Sequence, residues 1–282
     1  VIDAFKDRVA VITGAASGIG FAVAQALARE GARVALLDIQ AERLESARAE
    51  IAKLGVEARA FPLDISERQE VYAAADKIEQ AFGKIHILIN NAGVGYRDVP
   101  LHETPDSDLD WLFGVNVLGV LNGIKAFVPK IKRHGEGGHV VNAGSISGLY
   151  LRSGWNYGLY SATKAAVVFL SEGLREELAP AGIGVSVLCS SGVDTEVFSA
   201  TRVRPARFGG PAAPPPASAD ALKGHMAPAL VARHVMQAMR DNAFLIITHP
   251  QAAREKIIAR HQEIMQAYER AEQVAAALAA SE

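Results

Sequence analysis

A single cysteine, Cys189, stands in 282 residues, so the chain can form no internal disulfide and no multi-cysteine metal site. It lies in an apolar run, where burial rather than reactivity is expected. Net charge is also small. The 29 Lys and Arg against 31 Asp and Glu leave −2, which gives no field toward nucleic acid or an anionic membrane. Long apolar runs are missing: Val9–Ile12 and Val34–Leu37 fall far short of the roughly 20 residues that cross a bilayer. Val1–Arg8 carries charges and no signal-peptide core, so a cytoplasmic protein is expected. The eight histidines are scattered without paired ligand spacing, and no catalytic metal is expected.

What the chain does have is a core. Half of its residues are hydrophobic and 21% are charged, as in a well-packed globular protein. Short β-branched runs at Val9–Thr13, Arg33–Asp38, Glu57–Pro62, Ile85–Asn90, His139–Ala143, Gly184–Cys189 and Phe244–Thr248 read as strands. Longer periodic segments at Ile19–Glu30, Ala41–Lys53, Glu67–Phe82, Leu109–Lys132 and Tyr160–Leu178 read as helices. The alternation predicts an α/β fold in which residues 1–282 form a single catalytic domain: one Rossmann-like, doubly wound parallel sheet of about seven strands with helices on both faces.

The regularity breaks between Val197 and Pro228. Arg202, Arg204, Arg207 and the run Gly209–Pro216 cannot continue a helix. Residues 197–228 read as either a surface loop or a substrate lid, since they follow a strand end where ligands gather. The C-terminal extension, residues 250–282, holds a long helix candidate at Glu255–Leu278. Its Ile257, His261, Ile264, Tyr268, Ala271, Ala275 and Leu278 follow a heptad spacing, which suits packing on the same domain or on a neighbouring subunit.

The first strand runs into Thr13-Gly14-Ala15-Ala16-Ser17-Gly18-Ile19-Gly20 and then a helix. Gly14 permits a tight turn, Gly18 lets backbone N–H groups approach a pyrophosphate, and Gly20 allows close helix–strand packing. About 20 residues on, Asp38 ends the second strand, where a carboxylate accepts ribose hydroxyls and repels a 2′-phosphate. Neither Ser17 nor Ile39 offers a compensating cation. The expected cofactor is NAD.

With Asn90-Asn91-Ala92-Gly93 and Tyr160-Ser161-Ala162-Thr163-Lys164, this turn resembles the short-chain dehydrogenase/reductase family over about Asp7–Thr195. The resemblance implies that Asp64 and Ile65 meet the adenine, Asn90 lies along the adenosine ribose, and Ile19 offers its N–H to the pyrophosphate. It also implies that Val193 reaches the carboxamide and Thr195 a phosphate. Where the family usually has Pro-Gly, this chain has Ser190-Ser191, which leaves the loop path open.

Removing a hydride from a secondary alcohol needs a base for its proton, and a free tyrosine with a pKa of about 10 is a poor one. A nearby lysine ammonium and a positive nicotinamide both favour phenolate, so the Tyr160 pKa is expected to fall. Tyr160 and Lys164 stand four apart and share one helix face. Tyr157 has Ser161 at the same spacing, with no charge to offer, and is expected to line the pocket instead.

Ser145 and Ser147 both precede Gly148, and either could bond the reacting oxygen; the family pattern favours Ser145. That residue lies 15 before Tyr160, slightly wider than usual, which implies a small insertion within Leu149–Asn156. Asn116 matches the family's helix asparagine, whose carbonyl geometry holds a water leading from Lys164 to solvent.

Leu149, Tyr150, Leu151, Trp155, Tyr157 and Phe198 cluster where substrate should sit, with Ser147 beside them, which points to a bulky apolar or aromatic alcohol or ketone. The chain beyond Arg202 is loosely similar to bacterial benzylic-alcohol (lignin-type Cα) dehydrogenases. The rival reading is a non-catalytic NAD(H)-binding sensor, which need not keep Asn116, Ser145, Tyr160 and Lys164 together. Partners are expected to be a small-molecule substrate and further copies of the chain, as homodimer or homotetramer, because Ala162–Leu170 is apolar on more than one side.

Overall fold

The computed structural model describes residues 2, 4–96, 99–151, 156–213, 225–251 and 253–281. They form two units, Val1–Thr248 and His249–Glu282. The first is built on seven strands: β1 (Val9–Thr13), β2 (Arg33–Asp38), β3 (Ala58–Pro62), β4 (Ile87–Asn90), β5 (Gly138–Ala143), β6 (Ile183–Cys189) and β7 (Leu245–Ile247). All pair in parallel, in the order β3-β2-β1-β4-β5-β6-β7.

Both faces of the sheet are covered, so β1 is buried at all five positions. Its residues alternate between two cores. Ala10 and Ile12 join Val23 and Leu27 of α1 (Gly18–Arg29) and Val231, Val235 and Met239 of α7 (Pro228–Asp241). Val9 and Val11 face the other way. They join Val71 and Ile78 of α3 (Arg68–Phe82), Phe127 of α5 (Gly119–Arg133) and Leu174 of α6 (Gly158–Leu178). α2 (Ala41–Ala52) buries Leu44, Ala47 and Ile51. Because β1 has β2 on one side and β4 on the other, the chain's direction of winding reverses there. That leaves a crevice beyond the carboxyl ends of β1 and β4.

Three features differ from the sequence expectation. The helix expected at Leu109–Lys132 is α4 (Asp106–Phe113), a π turn at Gly114–Leu118, then α5. By length and composition, Asp106–Arg133 could cross a membrane, but 72% of its most apolar stretch is buried inside the protein, which makes it a core helix. α7 is absent from the sequence expectation. Pro228 opens it at a position where a missing N–H costs nothing, and Asn242 closes it with φ 51. Finally, the start of the 197–228 segment is ordered into short 3-10 helices at Val197–Val203 and Ala206–Phe208. A parallel bridge between Val193 and Met226 joins the two ends of this segment.

The second unit is one helix, α8 (Arg254–Ala279), with no buried residue along its length. Ile264, Met265, Tyr268, Val274 and Leu278 are all exposed.

Candidate active site

The turn after β1 leaves no room for side chains. A Cβ on Gly20 would lie 2.2 Å from the Gly14 carbonyl oxygen, and one on Gly14 would lie 2.8 Å from Ala92 Cα. Gly14 and Gly18 also have φ of 65° and 57°, the left-handed region that favours glycine. The result is a bare backbone cradle at the N-terminus of α1, which suits an anionic pyrophosphate. Thr195 lies beside it, its Cγ2 3.1 Å from where a Gly18 Cβ would be. Ser17 is the N-cap of α1, but its side chain makes no capping bond.

Neighbouring strand ends brace this cradle through Thr13 and Asn91, for which the sequence alone suggests no role. Thr13 Oγ1 accepts the N–H groups of Asn91 and Ala92 at 2.9 and 3.0 Å. Asn91 Nδ2 donates to the carbonyls of Thr13 and Gly14 at 3.1 and 3.2 Å. Asp38 reaches across as well, one oxygen accepting Ala16 N–H at 3.1 Å and the other Gln40 N–H at 3.0 Å. Asp64 caps its own turn, with Oδ1 accepting from Ser66 N and Oγ at 2.9 and 2.6 Å. Ile65 is buried beside it, and its carbonyl accepts from Asn122. The Asn90 side chain points into the core, donating to Asn142 Oδ1 at 2.9 Å. Any ribose contact from Asn90 therefore falls on its main chain. Val193 is buried at the Met226 bridge. Together, the bare cradle and the braced carboxylates fit a dinucleotide.

Tyr160 and Lys164 are both buried on one face of α6. Burial pushes the Tyr160 phenol up to about 12; the Ser145 hydroxyl bonded to it works against this rise and Tyr157 adds to it. The expected fall takes in the charge of a bound nicotinamide, which the chain's own groups do not supply. Lys164 Nζ lies 5.8 Å from the Tyr160 ring centroid and donates to the Ala143 carbonyl at 2.8 Å. Burial also draws Lys164 itself down to about 8. Ser145, not Ser147, meets the phenol. Ser147 N–H instead bonds back to Ser145 Oγ at 3.1 Å, fixing that hydroxyl. Cys189 is buried, and its thiol is pushed up to about 12, so it is inert.

Asn116 lies in the π turn. Its Oδ1 accepts Val94 N–H at 2.8 Å, and its Nδ2 donates to the Val94 carbonyl at 2.9 Å and to Thr163 Oγ1 at 3.2 Å. A Cβ on Gly93 would touch both Asn116 Oδ1 and Lys164 Nζ, at 3.2 and 3.3 Å, so the two side chains converge there. The Tyr157, Tyr160 and Phe198 rings form a triangle with centroids 6.0–6.2 Å apart. Trp155 lies outside the described residues.

Distance in sequence concealed one histidine cluster. His86, His134 and Glu136 bring their ligand atoms within 4.8 Å of one another. The hydrogen bonds oppose a metal reading. His86 Nδ1 accepts Val9 N–H, so Nε2 carries the ring proton toward Glu136. His134 gives its Nε2 proton to the Ile85 carbonyl, while its Nδ1 accepts Glu136 N–H. His139 is buried against Ser186, and burial lowers it to about 4.

Comparison with known proteins agrees with this geometry. The family model described as short chain dehydrogenase matches residues 8–205. A "C alpha-dehydrogenase" of Sphingobium sp. (strain NBRC 103272 / SYK-6) is 37% identical over 252 residues, covering 88% of this chain and 82% of the relative. A short chain dehydrogenase/reductase from Burkholderia phymatum, solved in complex with NAD, superposes with a TM-score of 0.86 at 35% identity, covering 94% of this chain and 96% of that one. The apo form of LigD from Sphingobium sp. strain SYK-6 gives 0.77 at 36% identity, covering 93% and 97%.

Proposed function

The chain belongs to the short-chain dehydrogenase/reductase family and is an oxidoreductase using a nicotinamide cofactor. On that footing, we propose that it interconverts a bulky aryl secondary alcohol and its ketone with NAD. The observation that carries this reading is the burial of Tyr160 and Lys164 on one face of α6, with Asn116 and Lys164 converging at Gly93.

Bound NAD would supply the hydride acceptor and a positive ring next to the phenol. The remaining chemistry falls to the chain's own groups. Tyr160 takes the alcohol proton at its phenol oxygen, and Ser145 donates to the substrate oxygen and holds it in place. Lys164 holds its positive charge near the phenol, and the π turn at Asn116 opens the helix for a proton route toward solvent. The Tyr157–Phe198 wall supports an aromatic substrate, as does the similarity to a C alpha-dehydrogenase. NAD preference rests on Asp38. The nearby cation Arg43 is held by Glu196 at 2.6 Å and by Gln40 at 3.3 Å, so its charge is already engaged.

The single buried cysteine suits a reducing compartment such as the cytoplasm. A homodimer or homotetramer is supported by the outer side of α6, where Phe169 is 72% exposed. A groove between α5 and α6, lined by Ile124, Val128, Leu174 and Leu178, adds to that support. Two experiments test these readings: an NAD-reduction screen across aliphatic, steroidal and aryl secondary alcohols, and sedimentation equilibrium at low micromolar concentration. Turnover confined to small aliphatic alcohols would refute the substrate reading, and a 30 kDa species the assembly.

A further inference from the structure

The segment after β6 is rich in charged contacts. Its charged residues reach both walls of the crevice where the adenosine half of a dinucleotide would lie. On the β2 side, Glu196 holds Arg43, which follows Asp38 by five positions, and is itself held by Arg202 at 2.8 Å. On the β3 side, Arg207 Nη2 lies 2.6 Å from Asp64 Oδ2 and 2.5 Å from Ser66 Oγ, and its Nη1 lies 2.9 Å from Glu67. Phe208 anchors the same end. It stacks on the Arg207 guanidinium at 4.5 Å and lies 3.1 Å from where a Gly114 Cβ would project. Farther along, Arg204 pairs with Asp108 at 2.5 Å and lies over Trp111.

The Arg207 contact has a particular chemical consequence. Both donors of Ser66 converge on Asp64 Oδ1, so Oδ2 is the oxygen left to accept a ligand's amino group. Arg207 fixes that oxygen from one side while leaving it a further lone pair. We propose that Arg207 is a positioning residue for adenine recognition: it holds Asp64 at the angle that accepts the adenine 6-amino group. The segment after β6 thereby becomes part of the base-reading site. The inference rests on the reading that Asp64 meets the adenine.

The adenine 6-amino group is absent from hypoxanthine, which places an oxygen there. Hypoxanthine also carries a proton on N1, so calorimetric Kd values for NAD and for nicotinamide hypoxanthine dinucleotide report the whole Watson–Crick edge, and Asp64→Ala gives the share that belongs to Asp64. The unmodified chain should favour NAD by about tenfold or more, the weight of one hydrogen bond to a charged group. Arg207→Ala should bring that ratio below about threefold while changing affinity for the hypoxanthine analogue less than about twofold. Arg207→Lys should restore part of the ratio, because it keeps the charge and loses the fork.

A purely structural strap would weaken both dinucleotides equally, and that result overturns the inference. So does a ratio that rises in Arg207→Ala, which would make the arginine a mask over Asp64. Asp64→Ala separates the two levels. If it collapses the ratio and Arg207→Ala does not, adenine reading by Asp64 stands and the role of Arg207 fails. If Asp64→Ala leaves the ratio intact, the adenine reading itself is wrong. Arg207 is 39% exposed at its side chain, so its variants should fold and decide the question even if Asp64→Ala does not.

Discussion

Asn116 holds both backbone groups of Val94, accepting its N–H at 2.8 Å and donating to its carbonyl at 2.9 Å. Val94 and Asn116 are both buried, so no water takes over if the amide is lost. Asn116→Ala leaves a donor and an acceptor unpaired and should cost about 2–3 kcal/mol of stability. Urea unfolding should show a lower midpoint at an unchanged slope. A midpoint equal to the parent's would mean that the loop at Val94 finds other partners.

Tyr160→Phe keeps the ring in its triangle with Tyr157 and Phe198 and removes only the phenol oxygen. Turnover should fall by about a thousandfold, within the range of general acid–base catalysis. NADH binding, read by fluorescence, should change less than about twofold. A dead Tyr157→Phe beside an active Tyr160→Phe would exchange the roles of the two rings.

Asp38 is held by Ala16 N–H and Gln40 N–H, which fixes its charge at the ribose end of β2. NAD should exceed NADP at least about tenfold in kcat/KM, corresponding to about 1.4 kcal/mol or more of lost hydrogen bonds and added repulsion. Asp38→Ser should narrow the gap chiefly by improving NADP. Equal turnover of the unmodified enzyme with both cofactors would remove the argument.

The pH profile should separate the two directions. Oxidation needs the phenolate of Tyr160, and burial pushes that phenol up to about 12, so the fraction ready to act rises with pH. Lys164, drawn down to about 8, loses its charge above that point and withdraws support from the phenolate. Alcohol oxidation should therefore climb nearly tenfold per unit up to about pH 8 and flatten beyond. Ketone reduction, which starts from the protonated phenol, should show no such climb. Steady-state rates from pH 6 to 10 in both directions check this.

Much of the sheet was legible because parallel strands buried on both faces are short apolar runs, as in Val9–Thr13 and Ile183–Cys189. The turn at Gly14–Gly20 was legible because close backbone approach tolerates only glycine. What the sequence hid depends on contacts made across it. The π turn at Gly114–Leu118 forms where Asn116 bonds Val94, and nothing in local propensity marks that. The inward turn of the Asn90 side chain follows from Asn142 on the neighbouring strand. Arg207 was visible only as a helix-incompatible arginine, since Asp64 is 143 positions away. The helix at Pro228–Asp241 did carry its signals, proline at the start and asparagine at the stop. The Tyr160 pKa could not be read from its spacing to Lys164, because burial raises the phenol and the ammonium donates to the Ala143 carbonyl.

The bridge between Val193 and Met226 pins the two ends of the segment after β6 side by side. A chain closed at its base in this way behaves as a cassette. Each doubling of its length adds only about 0.6 kcal/mol of closure entropy. Segments of different length and composition can thus be exchanged between Asp194 and His225 while Tyr160, Lys164 and the glycine turn keep their places. A change in that stretch would be felt through Phe198 beside Tyr160 and through Arg207 beside Asp64, while the sheet beneath stays as it is.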